Sequence, residues 1–99
     1  MVNVMTEFEV EDIDKFKEGI EKYGVDLRER HGCLSVQWFR IVAPGNRVIA
    51  VVKWESREHY ETFLKDPAVG QAMYARGTLN IDKITYMEQL GEWKADKIP

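Results

Sequence analysis

The spacing of apolar residues along the chain switches between a period of two and a period near 3.6, and each switch marks the edge of an element. From Val2 to Val10, Val2, Val4, Phe8 and Val10 share one parity while Asn3, Glu7 and Glu9 share the other, which predicts a first strand. Asp12 or Asp14 then serves as an N-cap, since a short side-chain oxygen accepts from the free amides of a first helical turn. Ile13, Phe16, Ile20, Tyr23 and Leu27 recur at spacings of 3, 4, 3 and 4, and only a helix gathers them on one stripe. Gly24 falls inside that helix at a cost of about 1 kcal/mol relative to alanine, so a break or a close packing contact is expected beside it. Arg28, Arg30 and His31 suit the negative end of the helix dipole, and Gly32 suits the left-handed residue that stops it, near residue 30.

Period two returns from Cys33 to Ile41, with Leu34, Val36 and Trp38 on one parity and Cys33, Ser35, Gln37 and Phe39 on the other. Ala43 to Asn46, APGN, is turn chemistry: proline presets its backbone angle and glycine or asparagine accepts a positive one. Arg47 to Trp54 is a third strand and makes a hairpin with the second. It is apolar on both parities, with Val48, Ala50, Val52 and Trp54 on one and Ile49 and Val51 on the other, so it belongs at the centre of a sheet with both faces covered. Ser56 caps a second helical region whose stripe includes Tyr60, Phe63 and Leu64. Asp66-Pro67 supplies a fresh cap and a first-turn proline, which predicts two pieces, about 57 to 65 and 67 to 76, kinked between them and closed by Gly77. Ile81 to Leu90 reads as the last strand, and Gly91 to Pro99 as a polar tail anchored by Trp93.

Strand, helix, strand, strand, helix, strand is the order of an α+β, ferredoxin-like split βαββαβ arrangement with a four-stranded antiparallel sheet. It is expected as one domain over residues 1–99, core 2–90 and tail 91–99. Two helices cover one face. The other keeps either Phe8, Trp38, Val52, Trp54 and Tyr86 or, on the opposite parity, Met5, Phe39, Ile49, Val51 and Met87. Either set is an apolar area that a stable protein buries against a partner. A second copy is the economical partner: two sheets face to face give a homodimer, a dimeric α+β barrel, whose interior is the expected ligand cavity.

Composition narrows the function. A formal charge of −3, from 14 basic and 17 acidic residues, provides no footprint for nucleic acid, and Arg28, Arg30, Arg40 and Arg47 are not clustered. The single cysteine, Cys33, excludes an internal disulfide. There is no charged and apolar leader pattern at the N-terminus and no apolar run of about 18 residues, so no membrane association is expected and a cytoplasmic location is. Neither His31 nor His59 has a partner at ligand spacing, so no metal site is expected. No serine or cysteine sits in a nucleophile motif, and no glycine-rich phosphate loop is present.

The candidate chemistry gathers in Val51 to Leu64, VVKWESREHYETFL, where a strand ends on Trp54 and turns through Glu55-Ser56 into a helix bearing His59 and Tyr60. Strand ends that feed helices hold side chains rigidly at a cavity mouth. Trp54 reads either as a plug at the end of a central strand or as a cavity wall. Tyr60 reads as a core residue or as a hydroxyl that positions or protonates a phenolic substrate. His59 lies one residue off the apolar stripe and reads first as a solvated helix residue. His31 is explained by the helix dipole, and Cys33 by its size as a small buried apolar residue.

GCL at Gly32 to Leu34, VVKWESREHYETFL, and DPAV at Asp66 to Val69 together resemble the antibiotic biosynthesis monooxygenase family of dimeric α+β barrel proteins, over roughly residues 2 to 90. The resemblance places Trp54 on a tryptophan that lines the cavity in oxygenases and haem degraders of this superfamily, and Tyr60 on a tyrosine used by polyketide oxygenases. The asparagine four residues before the tryptophan is Ala50 here, and the family's second-helix arginine has Arg76 as its candidate counterpart. The haem-ligating histidine is replaced by the neighbourhood of Met73 and Tyr74, and the strand-one asparagine by Thr6, which speaks against haem degradation.

The expectation is therefore a cofactor-independent monooxygenase acting on a small aromatic, phenolic or quinol-like substrate, with no cofactor. Trp54 and Tyr60 are its catalytic candidates and Thr6, Phe8, Trp38, Val52, Arg76 and His59 its substrate-binding candidates, with Asn3 and Gln37 as polar groups on the opposite parity. The alternative, motivated by Ala50, is a non-catalytic homodimer that binds a small hydrophobic ligand or acts as an interaction module. A haem-binding protein is the third class.

Overall fold

The computed structural model describes residues 1–22 and 25–96, with the side chains of residues 25 and 26 also outside the description. Its elements are β1 (Val2–Val10), α1 (Ile13–Lys22), α2 (Val25–Arg30), β2 (Cys33–Arg40), β3 (Arg47–Trp54), α3 (Arg57–Lys65), α4 (Pro67–Ala75) and β4 (Thr78–Met87). The strands form one antiparallel sheet in the order β2-β3-β1-β4, which is the ferredoxin-like α+β arrangement. The expected break at Gly24 and the stripe position Tyr23 lie outside the described residues. Among the described residues no helix is long and apolar enough to cross a membrane.

Register decides which face the helices cover. Val4 opposes Val52 and Tyr86, and Thr6 opposes Ala50 and Ile84, so the even-numbered residues of β1 and β3 share a face. That face is the buried one: Val4, Thr6, Phe8 and Val10 alternate with half-buried neighbours, as do Val48, Ala50, Val52 and Trp54. Phe16, Tyr60, Phe63 and Val69 close over it from the helices. Burying a side chain of this kind contributes about 1.5–3 kcal/mol, so the helix face supplies most of the protomer's cohesion. The opposite face carries half-buried Met5, Ile49, Val51 and Met87, with Phe39 at 51% exposure.

Local chemistry sets the helix limits. Asp12 Oδ1 accepts from the Lys15 amide at 2.9 Å, Ser56 Oγ from the His59 amide at 3.2 Å, and Asp66 Oδ1 from the Ala68 amide at 2.9 Å. Each satisfies an orphan donor, an effect worth about 1 kcal/mol per helix. Asp66 ends α3 and caps α4, and Pro67 follows at the first turn, so the kink falls where the sequence places it.

Three expectations need correction. β4 runs over Thr78–Met87 rather than 81 to 90: Gly77, at φ 80°, turns the chain directly out of α4, its carbonyl accepts from the Glu11 amide at 2.8 Å, and Thr78 already pairs with Val10. Leu90 is consequently left 94% exposed. In β2 a bulge between Cys33 and Ser35 shifts the parity, so half-buried Cys33 packs against the core with Val36 and Trp38 while Leu34 faces outward. Trp93 is 85% exposed and does not anchor the tail on its own protomer.

His31 has a more specific partner than the helix dipole. Its Nε2 lies 2.9 Å from Asp66 Oδ2, and its ring meets Phe63 edge-on at 5.8 Å, which ties the end of α2 to the α3–α4 junction. The hydrogen bond with His31, followed by that from the Ala68 amide, holds the Asp66 carboxyl below the usual carboxylate range. A depressed carboxylate pKa adds stability above the unfolded-state value, and that stability is lost as pH falls through the folded-state value. Asp66→Asn keeps the capping oxygen and removes the charge. Urea titrations of the two proteins should differ at neutral pH and converge toward about pH 2; a gap independent of pH would show that Asp66 acts only as a cap.

Candidate functional site

Between the covered sheet face and the helices lies a cavity of about 70 Å³. The sheet supplies Thr6, Phe8, Trp38, Ala50, Val52 and Trp54 to its floor, α3 supplies Tyr60, Phe63 and Leu64, and α2, α4 and the start of β4 close its ends with Arg28, Met73, Arg76 and Thr78. This cavity lies on the covered face of a single protomer.

Its aromatic wall is continuous. Trp54, 1% exposed, lies 5.5 Å from Tyr60 at an interplanar angle of 54° and 4.9 Å from Phe63 at 52°. Tyr60 in turn meets Tyr86 edge-on at 6.0 Å. Such tilted contacts set the electropositive edge of one ring against the face of the next and fix the rings in place. Burial, with a smaller contribution from Tyr86, pushes the Tyr60 phenol up to about 12. At neutral pH Tyr60 is thus an uncharged hydroxyl that can donate a hydrogen bond into the cavity.

Arg76 is the polar centre. It caps the C-terminus of α4, is only 8% exposed, and sits 5.9 Å from the Phe16 ring centroid. Among the described residues no carboxylate lies within ion-pair distance of its guanidinium. Burial, and then the positive charge of Arg28, lower its pKa to about 10, so it stays protonated at neutral pH. Its Nε, the Trp54 Nε1 and the Thr78 Oγ1 are all buried without a hydrogen-bond partner. Unpartnered buried polar atoms are uncommon and costly, yet three residues lining one cavity carry them here. Gly19 of α1 makes room for this arrangement: a Cβ there would sit 2.6 Å from Arg76 Cγ and 3.0 Å from its Cα.

Of the side chains singled out from sequence, Thr6, Phe8, Trp38, Val52, Trp54, Tyr60 and Arg76 all line this cavity. His59 does not. It lies on the exposed side of α3, with Nδ1 2.6 Å from Ser56 Oγ and Nε2 3.2 Å from Glu55, against the backbone of Gly32. Asn3 and Gln37 lie on the opposite sheet face, in a depression with Val51, Lys53 and Met87. Sequence reasoning missed Arg28 and Thr78. Arg28 has a sufficient local explanation at a helix end, and its position next to stripe residue Leu27 was the available signal. Thr78 was hidden because the last strand starts earlier than its pattern shows. No group of three or more potential ligands that could hold a metal ion occurs among the described residues.

A ferredoxin-like α+β domain whose helices enclose an aromatic cavity, with an unpaired arginine at its end, is the class of protein that these features define. The chain belongs to the antibiotic biosynthesis monooxygenase family, whose model matches residues 1–75. Trp54 and Tyr60 fall inside the matched stretch, and Arg76 and Thr78 just beyond it. No curated protein matches the sequence. Among solved structures, a Bordetella bronchiseptica protein assigned to antibiotic biosynthesis monooxygenases superposes with a TM-score of 0.73 at 16% identity, covering 90% of this chain and 96% of that one. SnoaB, a cofactor-independent oxygenase from Streptomyces nogalater, gives 0.71 at 14% identity over 92% and 94%. HapK from Hahella chejuensis gives 0.70 at 16% identity over 98% and 100%. At these identities the likeness establishes the fold.

A buried guanidinium without a counter-charge is a cost to folding, and an unbranched apolar chain of similar length removes it. Arg76→Met should therefore raise stability by roughly 1–3 kcal/mol in denaturant titration. A destabilised variant would show that Arg76 has a structural partner.

Proposed function

We propose that this protein is a cofactor-independent monooxygenase that oxidises a small phenolic or quinol-like aromatic in the cavity beneath α3 and α4. The observation that carries the reading is that three residues lining one aromatic-walled cavity, Arg76, Trp54 and Thr78, each hold a buried donor with no hydrogen-bond partner. Donors fixed in a water-poor site stabilise an oxyanion without reorganising. A phenol that enters as its phenolate, having given its proton to bulk water, presents that oxyanion, and an electron-rich phenolate can pass an electron directly to dioxygen. Recombination of the two radicals forms a carbon–oxygen bond, and loss of water leaves a quinone, so dioxygen supplies one oxygen atom to product and one to water.

Each residue then has a task. Arg76, with the Trp54 and Thr78 donors, holds the phenolate oxygen, and Trp54 and Phe63 orient the ring. Neutral Tyr60 donates to the reduced oxygen and provides a proton as the oxygen–oxygen bond breaks. Thr6, opposite Ala50 on the floor, adds a further hydroxyl. The cavity is smaller than the roughly 150 Å³ that admits benzene in an apolar core, so a ring must displace a side chain on entering. Met73 is unbranched and adaptable, and Leu64, 38% exposed, stands at the rim.

The family relation and the likeness to SnoaB support the chemistry. Ala50, which brings no polar group to the floor, favours the second reading, a protein that binds such ligands without oxidising them. Incubation with a panel of hydroquinones under dioxygen separates the two. The oxygenase reading expects a hydroxyquinone carrying one oxygen atom from dioxygen, with matching oxygen uptake and no hydrogen peroxide released, and a rate reduced about a hundredfold or more in Arg76→Met and Trp54→Phe and about tenfold or more in Tyr60→Phe. Ligand-induced thermal shifts with no product from any member of the panel would favour the binder.

We also infer that the working form is a homodimer. Proteins of this family are generally dimeric, and among the described residues no helix covers the face bearing half-buried Met5, Ile49 and Val51 and exposed Phe39. Sedimentation equilibrium at micromolar concentration should give twice the 11.6 kDa protomer mass; a protomer-sized species throughout would contradict it.

A further inference from the structure

The cavity carries a second guanidinium that oxidation of a simple phenol does not need. Arg28, in the last turn of α2, lines it from the wall above Trp38, with its guanidinium carbon 5.1 Å from the Trp38 ring centroid. Like Arg76, it makes no ion pair among the described residues. The acidic group closest to it in sequence, Glu29, is exposed and beyond ion-pair distance. Among the described residues, the lining holds Arg28 and Arg76 and no carboxylate.

Two like charges facing one largely apolar space repel, and water screens that repulsion poorly inside a cavity. Packing alone does not require the second charge, because a neutral side chain could cover Trp38 equally well. A ligand with two negative groups removes the conflict, one group for each guanidinium. The contact with Trp38 involves no ion pair or hydrogen bond: a planar guanidinium can rest its face on an indole while its N–H groups bind a carboxylate in pairs.

We propose that Arg28 is a specificity-determining residue that selects aromatic substrates bearing a carboxylate in addition to the phenolic oxygen held by Arg76. The proposal rests on the reading of this cavity as the substrate site. It defines the substrate class as hydroxyaryl carboxylates. The reaction class that supplies such a substrate is one that leaves a free acid on a phenolic ring.

Calorimetric binding under nitrogen tests this apart from catalysis, with gentisate, its neutral amide gentisamide, and hydroquinone as probes. The full-length protein should bind gentisate about tenfold or more tightly than either neutral compound. Arg28→Gln should remove that preference while leaving hydroquinone affinity within about twofold, and Arg28→Lys, which keeps the charge, should restore part of it. Melting curves establish that both variants are folded, and if Arg28→Gln is not, a reduced gentisate-over-gentisamide preference in folded Arg28→Lys supports the proposal and an undiminished one overturns it. Equal affinity for gentisate and gentisamide, or a preference that survives in Arg28→Gln, overturns the proposal. Selective binding of gentisate without aerobic turnover overturns the oxygenase reading and leaves the selectivity intact. Turnover without selectivity does the reverse, and failure of all three probes to bind overturns both.

Discussion

A guanidinium placed where water is scarce, with no carboxylate beside it among the described residues, creates a demand that the rest of the covered face is built to hold in place. Arg76 is kept at the end of α4 by the turn at Gly77, by the glycine of α1 that lets the two segments approach, and by the Phe16 ring beside it. The helices above the sheet can enclose it because β1 and β3 place their most apolar parity on that side. Burial that stabilises the fold also strengthens the field at the cavity, since the same exclusion of water that favours Trp54 and Phe63 leaves the charge unscreened. Stability and site therefore draw on one arrangement in opposite directions.

The aromatic wall makes the site directional. Trp54 ends β3, and the turn through Glu55 and Ser56 brings Tyr60 back over it within the first turns of α3. Ser56 fixes the start of that helix, so the strand end and the Tyr60 ring are held relative to one another by a side-chain cap rather than by a loop. Farther along the same helix, the His31–Asp66 contact fastens α2 to the α3–α4 junction. The elements that carry Arg28, Phe63 and Met73 are joined there, so the walls of the cavity form one connected unit.

Much of this was legible from the chain because its local signals agree with its tertiary structure. The alternation of β1, the continuous apolar run of β3, the Ser56 cap and the Asp66-Pro67 junction place their elements at the observed residues, since neighbours in sequence determine each of them. Where a longer-range contact decides, the pattern misleads. Thr78 to Asn80 falls outside the last strand's pattern until its pairing with β1 is known, and the bulge at Cys33 reverses a parity that uniform alternation assumes. The same division holds at the site. Trp54 and Tyr60 announce themselves by type and position and Arg76 through the family resemblance, whereas Arg28 has a satisfactory local explanation and only the folded chain shows that it faces the same cavity. His59 is the converse: a chemically suggestive residue occupied by its own helix cap.

The central claim is that the cavity stabilises an aromatic oxyanion, and the ionisation of a bound phenol reports on it directly. Absorption spectra of para-nitrophenol titrated with the protein distinguish the yellow phenolate from the colourless phenol. Bound ligand should show the phenolate band at a pH about one unit or more below that at which the free compound ionises, and Arg76→Met should abolish the shift. A ligand that binds as the neutral phenol, with its ionisation unchanged or moved to higher pH, would contradict the account.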